Sequence, residues 1–237
     1  MNLLTTATTT DEGARGAMIA VLPVGSFEQH GPHLPLITDT VIACAIAKRI
    51  AEENNLFLLP PVTISCSHEH AAFAGTVSIR ATTLVAVIED ILESLERTGV
   101  EKLVLVNGHG GNYVLKNIAQ QANIDRPRVI LFPSSEDWAE ARIAAGMETT
   151  NHQDMHAGEL ETSILLAVAP ELLRDGWQSE DHLIDDRREL LKLGVSAYSE
   201  SGVIGRPSLA TAAKGTLAVD NVAARYPTQS RAGKAVQ

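Results

Sequence analysis

Apolar positions along the chain fall into two kinds of run. Short continuous ones occur at Met18–Val24 (MIAVLPV), Leu56–Leu59, Lys102–Asn107 (KLVLVN) and Arg128–Phe132. Runs of this length, closed by Gly25 or by Pro60-Pro61, predict strands buried on both faces. Between them the spacing becomes helical. From Asp39 onward Val41, Ile42, Ala45, Ile46, Arg49 and Ile50 recur every three or four residues, with Thr38 or Asp39 placed as N-cap. Thr83 opens a second helix with Leu84, Val87, Ile88, Ile91, Leu92 and Leu95 on one face, and Gly99 stands where a C′ glycine would end it. Tyr113–Asn123 and Glu159–Val168 read as two more helices, the latter stopped by Pro170. The Gly- and Pro-bearing stretch 202–220 reads as a loop leading into a last helix, and the charged stretch 179–188 as a solvated connection. Residues 1–16 and 226–237 read as loose ends. Strands alternating with helices predict an α/β fold with a mostly parallel central sheet.

Composition narrows the function. At 237 residues, the chain makes one large domain or two small ones. With 45% apolar residues it can bury a sizeable core. A net charge of −10 argues against nucleic acid as a partner, because phosphate contacts need clustered Lys and Arg. No apolar run reaches the roughly 18 residues of a membrane span, and the Thr-rich start lacks the pattern of a signal peptide. Cys44 and Cys66 make no disulfide framework and suit a reducing compartment. A cytoplasmic protein is expected. Eight histidines against nine aromatic residues of the Phe, Trp and Tyr types is the unusual proportion.

Those histidines are not scattered. Seven of the eight fall in or beside four segments rich in Gly, Asn, Asp or Glu, placed at predicted strand ends, where sites form in open α/β sheets. The first is Val24–Asp39 (VGSFEQHGPHLPLITD). Glu28 and His30 are two apart, so on extended chain they face the same side. Asp39 reads equally as a helix cap, favoured there by the helix dipole, or as a ligand reaching two ions. His33 reads as a loop histidine. The second segment, Asn107–Asn112 (NGHGGN), holds His109 on a Gly-rich strand-to-helix turn without either phosphate-loop spacing. The third, Asp154–Ser163 (DMHAGELETS), sets His156 before a helix on which Glu159 and Glu161 point in different directions; taken alone, both acids read first as dipole complementation in the first turn. In the fourth, Ser65–Thr76, His68, Glu69 and His70 lack helical zinc spacing and read as substrate-pocket material.

Glu28, His30, Asp39, His109 and one of Glu159 and Glu161 thus form a mixed carboxylate and imidazole set suited to Zn²⁺, Mn²⁺ or Fe²⁺. The count exceeds what one open catalytic ion takes. Two divalent ions about 3.5–4 Å apart, sharing Asp39, fit it better.

The run Gly25–Leu36 (GSFEQHGPHLPL) with Asp39, the Asn107–Asn112 run and His156–Ser163 (HAGELETS) together resemble the creatininase family, over about Met18 to Tyr226. The resemblance implies a single three-layer α/β/α domain spanning residues 1–237, assembled as a homo-hexamer. It implies one ion on Glu28, Asp39 and His109, a second on His30 and Asp39, and His156 as proton donor to the leaving nitrogen. The family pattern has a glutamate ligand where this chain has Gly111. Glu159 is the expected replacement and Glu161 the alternative, otherwise orienting His156 or the water. Glu69, His70, Gly110, Gly111 and Asn112 are expected to touch substrate. The aromatic contact of the family is missing at Gly110 and its Trp-Asp pair is missing at His152 and Gln153, which points away from creatinine. Among the branches with the Gly-Gly form, Gly194–Gly205 and Ala210–Gly215 are more similar to the mycofactocin precursor peptide peptidase than to the archaeal formamide deformylase. The expected activity is metal-dependent hydrolysis of a peptide or non-standard C–N amide bond with a metal-activated water. The alternatives are a cyclic amide, formamide or cyclic ketone substrate, or a metal-holding subunit without catalysis.

Overall fold

The structure is a computed structural model that describes residues 5–232. The strands are β1 (Ile19–Val24), β2 (Phe57–Leu58), β3 (Lys102–Asn107) and β4 (Val129–Phe132), all parallel in the order β2-β1-β3-β4. Side chains alternate across this sheet with the two-residue period of a strand. Val21, Val104 and Val106 point to one face, and Ala20, Leu22, Val24, Leu103 and Leu105 to the other. Because both faces are covered, the strands read as continuous apolar runs.

On the first face lie α2 (Thr38–Asn54), α5 (Ser135–Ala144), α6 (Glu159–Val168) and α8 (Ala212–Ala232), with the single turn α7 (Leu190–Leu193) between the last two along the chain. Their core includes Ile42, Ile46, Ile50, Ala141, Ile164, Leu165 and Val222, with Phe132 edge-on to Tyr226. On the second face lie α3 (Ala81–Arg97) and α4 (Val114–Ala122). Leu84, Ile88, Leu92 and Leu95 form the α3 stripe and Leu115 and Ile118 that of α4. This is the three-layer α/β/α arrangement expected.

Three readings of the sequence need correction. Residues 1–16 are not uniformly loose: Thr9–Arg15 forms α1, closed at its start by a capping box between Thr8 and Asp11. At the other end α8 continues past Tyr226 to Ala232. Helix α5 had no expectation at all. Its start signal was present, as Ser134 and Asp137 cap each other's backbone, but its buried residues are Asp137, Ala141 and Arg142, beside half-buried Trp138, rather than a run of large aliphatics.

The chain path fixes where a site forms. From β1 the chain runs through α2 to β2 on one side of β1. From β3 it runs through α4 to β4 on the opposite side, on the other face of the sheet. Val24 and Asn107, the last residues of β1 and β3, pair with each other. The loops that follow them therefore diverge, opening a crevice at the carboxyl ends of the strands.

Candidate metal centre

Two glycines bring helix α2 against the ends of β1 and β3. A Cβ on Gly25 would fall on the backbone of Thr40, and one on Gly108 would fall on the carbonyl oxygen of Asp39. The first turn of α2 is thereby pressed into the crevice. Asp39 does not cap this helix, whose N-cap is Ile37 with no side-chain bond. It points inward instead and is 1% exposed. Ser26 donates its hydroxyl proton to Asp39 Oδ2 at 2.7 Å. His109 Nδ1 lies 3.0 Å from the same oxygen, and His30 Nε2 lies 3.0 Å from Oδ1. The two carboxylate oxygens thus face two different groups of side chains.

Each group has the composition of a metal site. Glu28, Asp39 and His109 form one, and His30, Asp39 and Glu161 the other; in each, one potential ligand atom per residue lies within 4.8 Å of the rest. A third overlapping set is Glu28, His30 and His156. Glu28 is fully buried, yet neither of its carboxylate oxygens completes a hydrogen bond. His109 Nδ1 and His70 Nε2 approach its Oε1 at 3.2 and 3.3 Å. A buried carboxylate left this way is costly unless a cation satisfies it, so the residues fit a divalent metal.

The rings are held in chosen orientations by the backbone. His30 Nδ1 donates to the Glu28 carbonyl at 3.0 Å, His109 Nε2 to the Cys66 carbonyl at 2.9 Å, and His156 Nε2 to the Gln29 carbonyl at 2.6 Å. These bonds assign the tautomers and leave His30 Nε2, His109 Nδ1 and His156 Nδ1 facing the centre. His70 accepts from Gln29 Nε2 at 2.8 Å through Nδ1, so its Nε2 carries the proton toward Glu28. Gln29, which the sequence reading passed over, therefore orients two histidines. The only signal for it was its place between Glu28 and His30.

Burial and neighbouring charge divide the ionisable groups. Burial opposes a charge on Asp39, but His30 and His109 outweigh it and hold the carboxyl well below the ordinary range. Glu28 likewise stays below its usual value because His109 offsets its burial. His30, despite full burial, is pushed up to about 9 by Asp39. Glu161 moves the other way, raised to about 7 by burial although His30 attracts its charged form. His156 is driven well below the ordinary histidine value by burial and then by His30, so its ring is neutral.

Glu159 is not at the centre. On a helix, residues two apart point to nearly opposite sides. Glu161 turns toward His30, 3.9 Å away, and accepts the Ala157 N–H at 2.6 Å. Glu159 turns back into the fold. It accepts from the Thr149 hydroxyl at 2.7 Å and the Thr149 N–H at 3.0 Å, and pairs with Lys214 Nζ at 2.6 Å. Of the two glutamates weighed for the ligand missing at Gly111, Glu161 lies in a group of potential ligand atoms with His30 and Asp39, and Glu159 does not. The amide of Asn112 accepts from the Cys66 N–H and donates to the Gly25 carbonyl and to Asn107 Oδ1, which ties three strand-end loops together.

The seven histidines do not all converge. His30, His70, His109 and His156 line the centre, with His156 stacked at 4.3 Å from His30 and 4.4 Å from His70. His68 and His152 are exposed. His33 is buried behind the site with Nε2 3.1 Å from the Thr162 hydroxyl. Burial, and then the charge on His30, lower His33 to about 4. Above pH 6.5 both folded and unfolded forms are neutral there. Between about 6.5 and about 4 the unfolded chain takes up a proton that the folded chain refuses, so stability falls with pH across that window. Urea midpoints at pH 7 and pH 5 should show this decline, and His33→Gln should reduce it. A slope untouched by the substitution would assign it to other groups.

The loop carrying His156 is anchored by Asp154, another residue missed from sequence. Its carboxylate accepts the N–H groups of Glu159, Leu160 and Arg206 at 2.7, 3.0 and 3.1 Å, and pairs with buried Arg142 at 2.9 Å. Asp154 thus caps α6 from outside, where the N-cap Gly158 has no side chain to do so. Between His156 and α6, Ala157 sits at φ +55°, a conformation non-glycine residues adopt at a cost.

The creatininase family pattern, described as creatinine amidohydrolase, matches residues 3–227. A mycofactocin precursor peptide peptidase from Mycobacterium ulcerans (strain Agy99) is 36% identical over 208 residues, covering 82% of this chain and 77% of that one. A creatinine amidohydrolase from Pseudomonas putida is 28% identical over 179 residues, or 68% of each chain. A glutamate-to-glutamine mutant of creatininase described as Zn-Zn type shares the fold, with TM-score 0.78 over 96% of both chains at 24% identity. With a family match across almost its whole length, this chain belongs to the creatininase family and is a hydrolase acting on C–N bonds.

Proposed function

We propose that the chain hydrolyses a peptide amide bond at a centre of two divalent metal ions. One ion would be held by Glu28, Asp39 and His109, the other by His30, Asp39 and Glu161. The observation that carries this reading is Asp39, whose two oxygens each face a separate group of ligand atoms. A pair of ions bound there would supply Lewis acidity and an activated water near neutral pH. The peptide preference rests on the 36% identical relative, which is named for a peptide substrate.

The chain's own residues handle the protons. His156 holds its only free nitrogen, Nδ1, toward the centre, 3.9 Å from Glu28 Oε1, while Nε2 is tied to the Gln29 carbonyl. A neutral ring so placed takes a proton from the attacking water at Nδ1 and returns it to the departing amide nitrogen. His70 keeps its proton on Nε2 and steadies the charge of Glu28. Glu161, anchored by the Ala157 N–H, keeps the second ligand group together. The second reading, a small-molecule amide, is favoured by the 28% identical creatinine amidohydrolase.

Activity on capped peptides and on small amides, with metal content measured by mass spectrometry, tests the reading. Chelation should abolish turnover, and Zn²⁺, Mn²⁺ or Fe²⁺ should restore it at two ions per chain. Turnover that survives complete metal removal overturns it. The assignment of the second ligand group has its own test. Glu161→Gln should lower bound metal, whereas Glu159→Gln should leave it unchanged and instead cost stability, as Lys214 loses its charged partner. Loss of metal in both variants would return Glu159 to the site. Light scattering tests assembly into a hexamer.

A further inference from the structure

Gly111 carries no side chain, and the space one would start from is not empty. A Cβ built on Gly111 would fall on Glu69 Oε1 and on His109 Nε2. Glu69 comes from a different part of the chain, the helical turn His68–His70. Its carboxylate reaches across to the position 111 backbone and stops 3.5 Å from His109 Nε2. That nitrogen already donates to the Cys66 carbonyl at 2.9 Å, so it is not free to satisfy Glu69. Among the described residues, no side chain of another residue closes a hydrogen bond with the Glu69 carboxylate. Its side chain is 11% exposed.

The exposed part opens on a cleft of about 390 Å³ between Glu69 and Gly111 on one side and the segment 190–196 on the other. The far wall is held close to Glu69. Gly194, at φ +72°, packs where a Cβ would come within 2.9 Å of the Glu69 carbonyl oxygen. Tyr113 and Leu193, each about half exposed, present apolar surface in the cleft. The Glu69 carboxylate, bonded to its own backbone N–H but to no side chain of another residue, thus stands at the wall of a cleft of mixed lining, on the side of the His109 ring opposite the Nδ1 that faces Asp39. A ligand that fits it offers an N–H donor next to an apolar side chain, and an extended peptide offers both at the spacing of one residue.

We propose that Glu69, standing in the volume vacated at Gly111, accepts a hydrogen bond from a backbone N–H of a peptide substrate whose apolar side chain lies against Tyr113 and Leu193. The inference rests on the peptide reading above and narrows it to the residue types beside the scissile bond.

The test is equilibrium binding of a panel of capped pentapeptides to the zinc-loaded protein, run alongside turnover. The panel carries Leu, Phe, Asp or Lys at the central position, each also as its backbone N-methylated analogue. Peptides with Leu or Phe should bind tightest. Glu69→Ala should weaken their binding by about 10- to 100-fold, the range for a hydrogen bond to a charged group, with zinc content unchanged. The N-methylated analogues should bind the wild type as weakly as the parent peptides bind the variant, and Glu69→Ala should add no further loss. Leu193→Ser should remove the preference for Leu and Phe without touching the N-methyl effect, which keeps the proposal testable should Glu69→Ala fold poorly. Peptides bound with this pattern but never cut would overturn hydrolysis and uphold the cleft. Overturning the cleft would take peptides cut with equal affinity by wild type and Glu69→Ala, N-methyl losses identical in both proteins, or no peptide binding at all.

Discussion

Asparagine in place of Asp39 is expected to lower turnover by about a thousandfold or more, the scale of several kcal/mol of lost charge stabilisation, and to lower bound metal with it. The geometry makes this the largest single effect. No other residue belongs to both the Glu28–His109 and the His30–Glu161 groups. Asparagine keeps the volume and one oxygen but replaces the other by an amide NH2, which only donates and cannot coordinate a cation. Ser26, which donates to Oδ2 at 2.7 Å, can rotate to accept from that NH2, so the fold should survive; a thermal midpoint close to wild type checks this. The two histidines offer a second readout. Against the effect of burial, His30 is held above the ordinary histidine range chiefly by Asp39, and His109 by Glu28 and then Asp39, so titration of the metal-free variant by NMR should show both reduced, His30 more than His109. An Asp39→Asn protein that keeps its metal and more than a tenth of the rate would show that the carboxylate does not join the two groups.

Alanine in place of His156 should cost about 10²–10⁴ in rate, the usual worth of a positioned acid–base group, with metal content preserved because Glu28, Asp39, His109, His30 and Glu161 remain. The proton-transfer role makes a sharper claim than loss of rate. An anilide with an electron-poor ring leaves with little need of a proton, whereas an alkyl amide cannot leave without one. The penalty should therefore be much smaller on the activated anilide than on the alkyl amide. Equal penalties on both would reduce His156 to a packing role between His30 and His70, whose rings it touches.

The fold was legible because both of its periodicities are clean. Strand β3 runs over Lys102–Asn107 and helix α6 over Glu159–Val168 as their apolar patterns mark them. Helix α5 was not legible, because a face of Trp138, Ala141 and buried Arg142 has no aliphatic stripe, and Arg142 is inside only by virtue of Asp154 and Thr149 twelve and seven residues away. At the site, Glu28, His30, Asp39 and His109 could be picked out from residue type and strand-end position. Glu159 and Glu161 could not be separated, since both sit in the first turn of α6. What separates them is Lys214, fifty-five residues after Glu159, and pairing at that distance leaves no trace in local pattern. The same holds for Asn112, whose role as a tie between loops depends on Cys66 and Gly25.

The contact of α2 with the ends of β1 and β3 has a further consequence. It is backbone against backbone at both Gly25 and Gly108, so the positions of Glu28, Asp39 and His109 are set by main chain that no side-chain exchange can move. Around that fixed seat, the carboxylates at 69 and 161 arrive from separate segments, each replaceable without shifting the others. A substitution at 69 or 161 can therefore change what the crevice accepts while the first turn of α2, and Asp39 with it, stays where the main chain holds it.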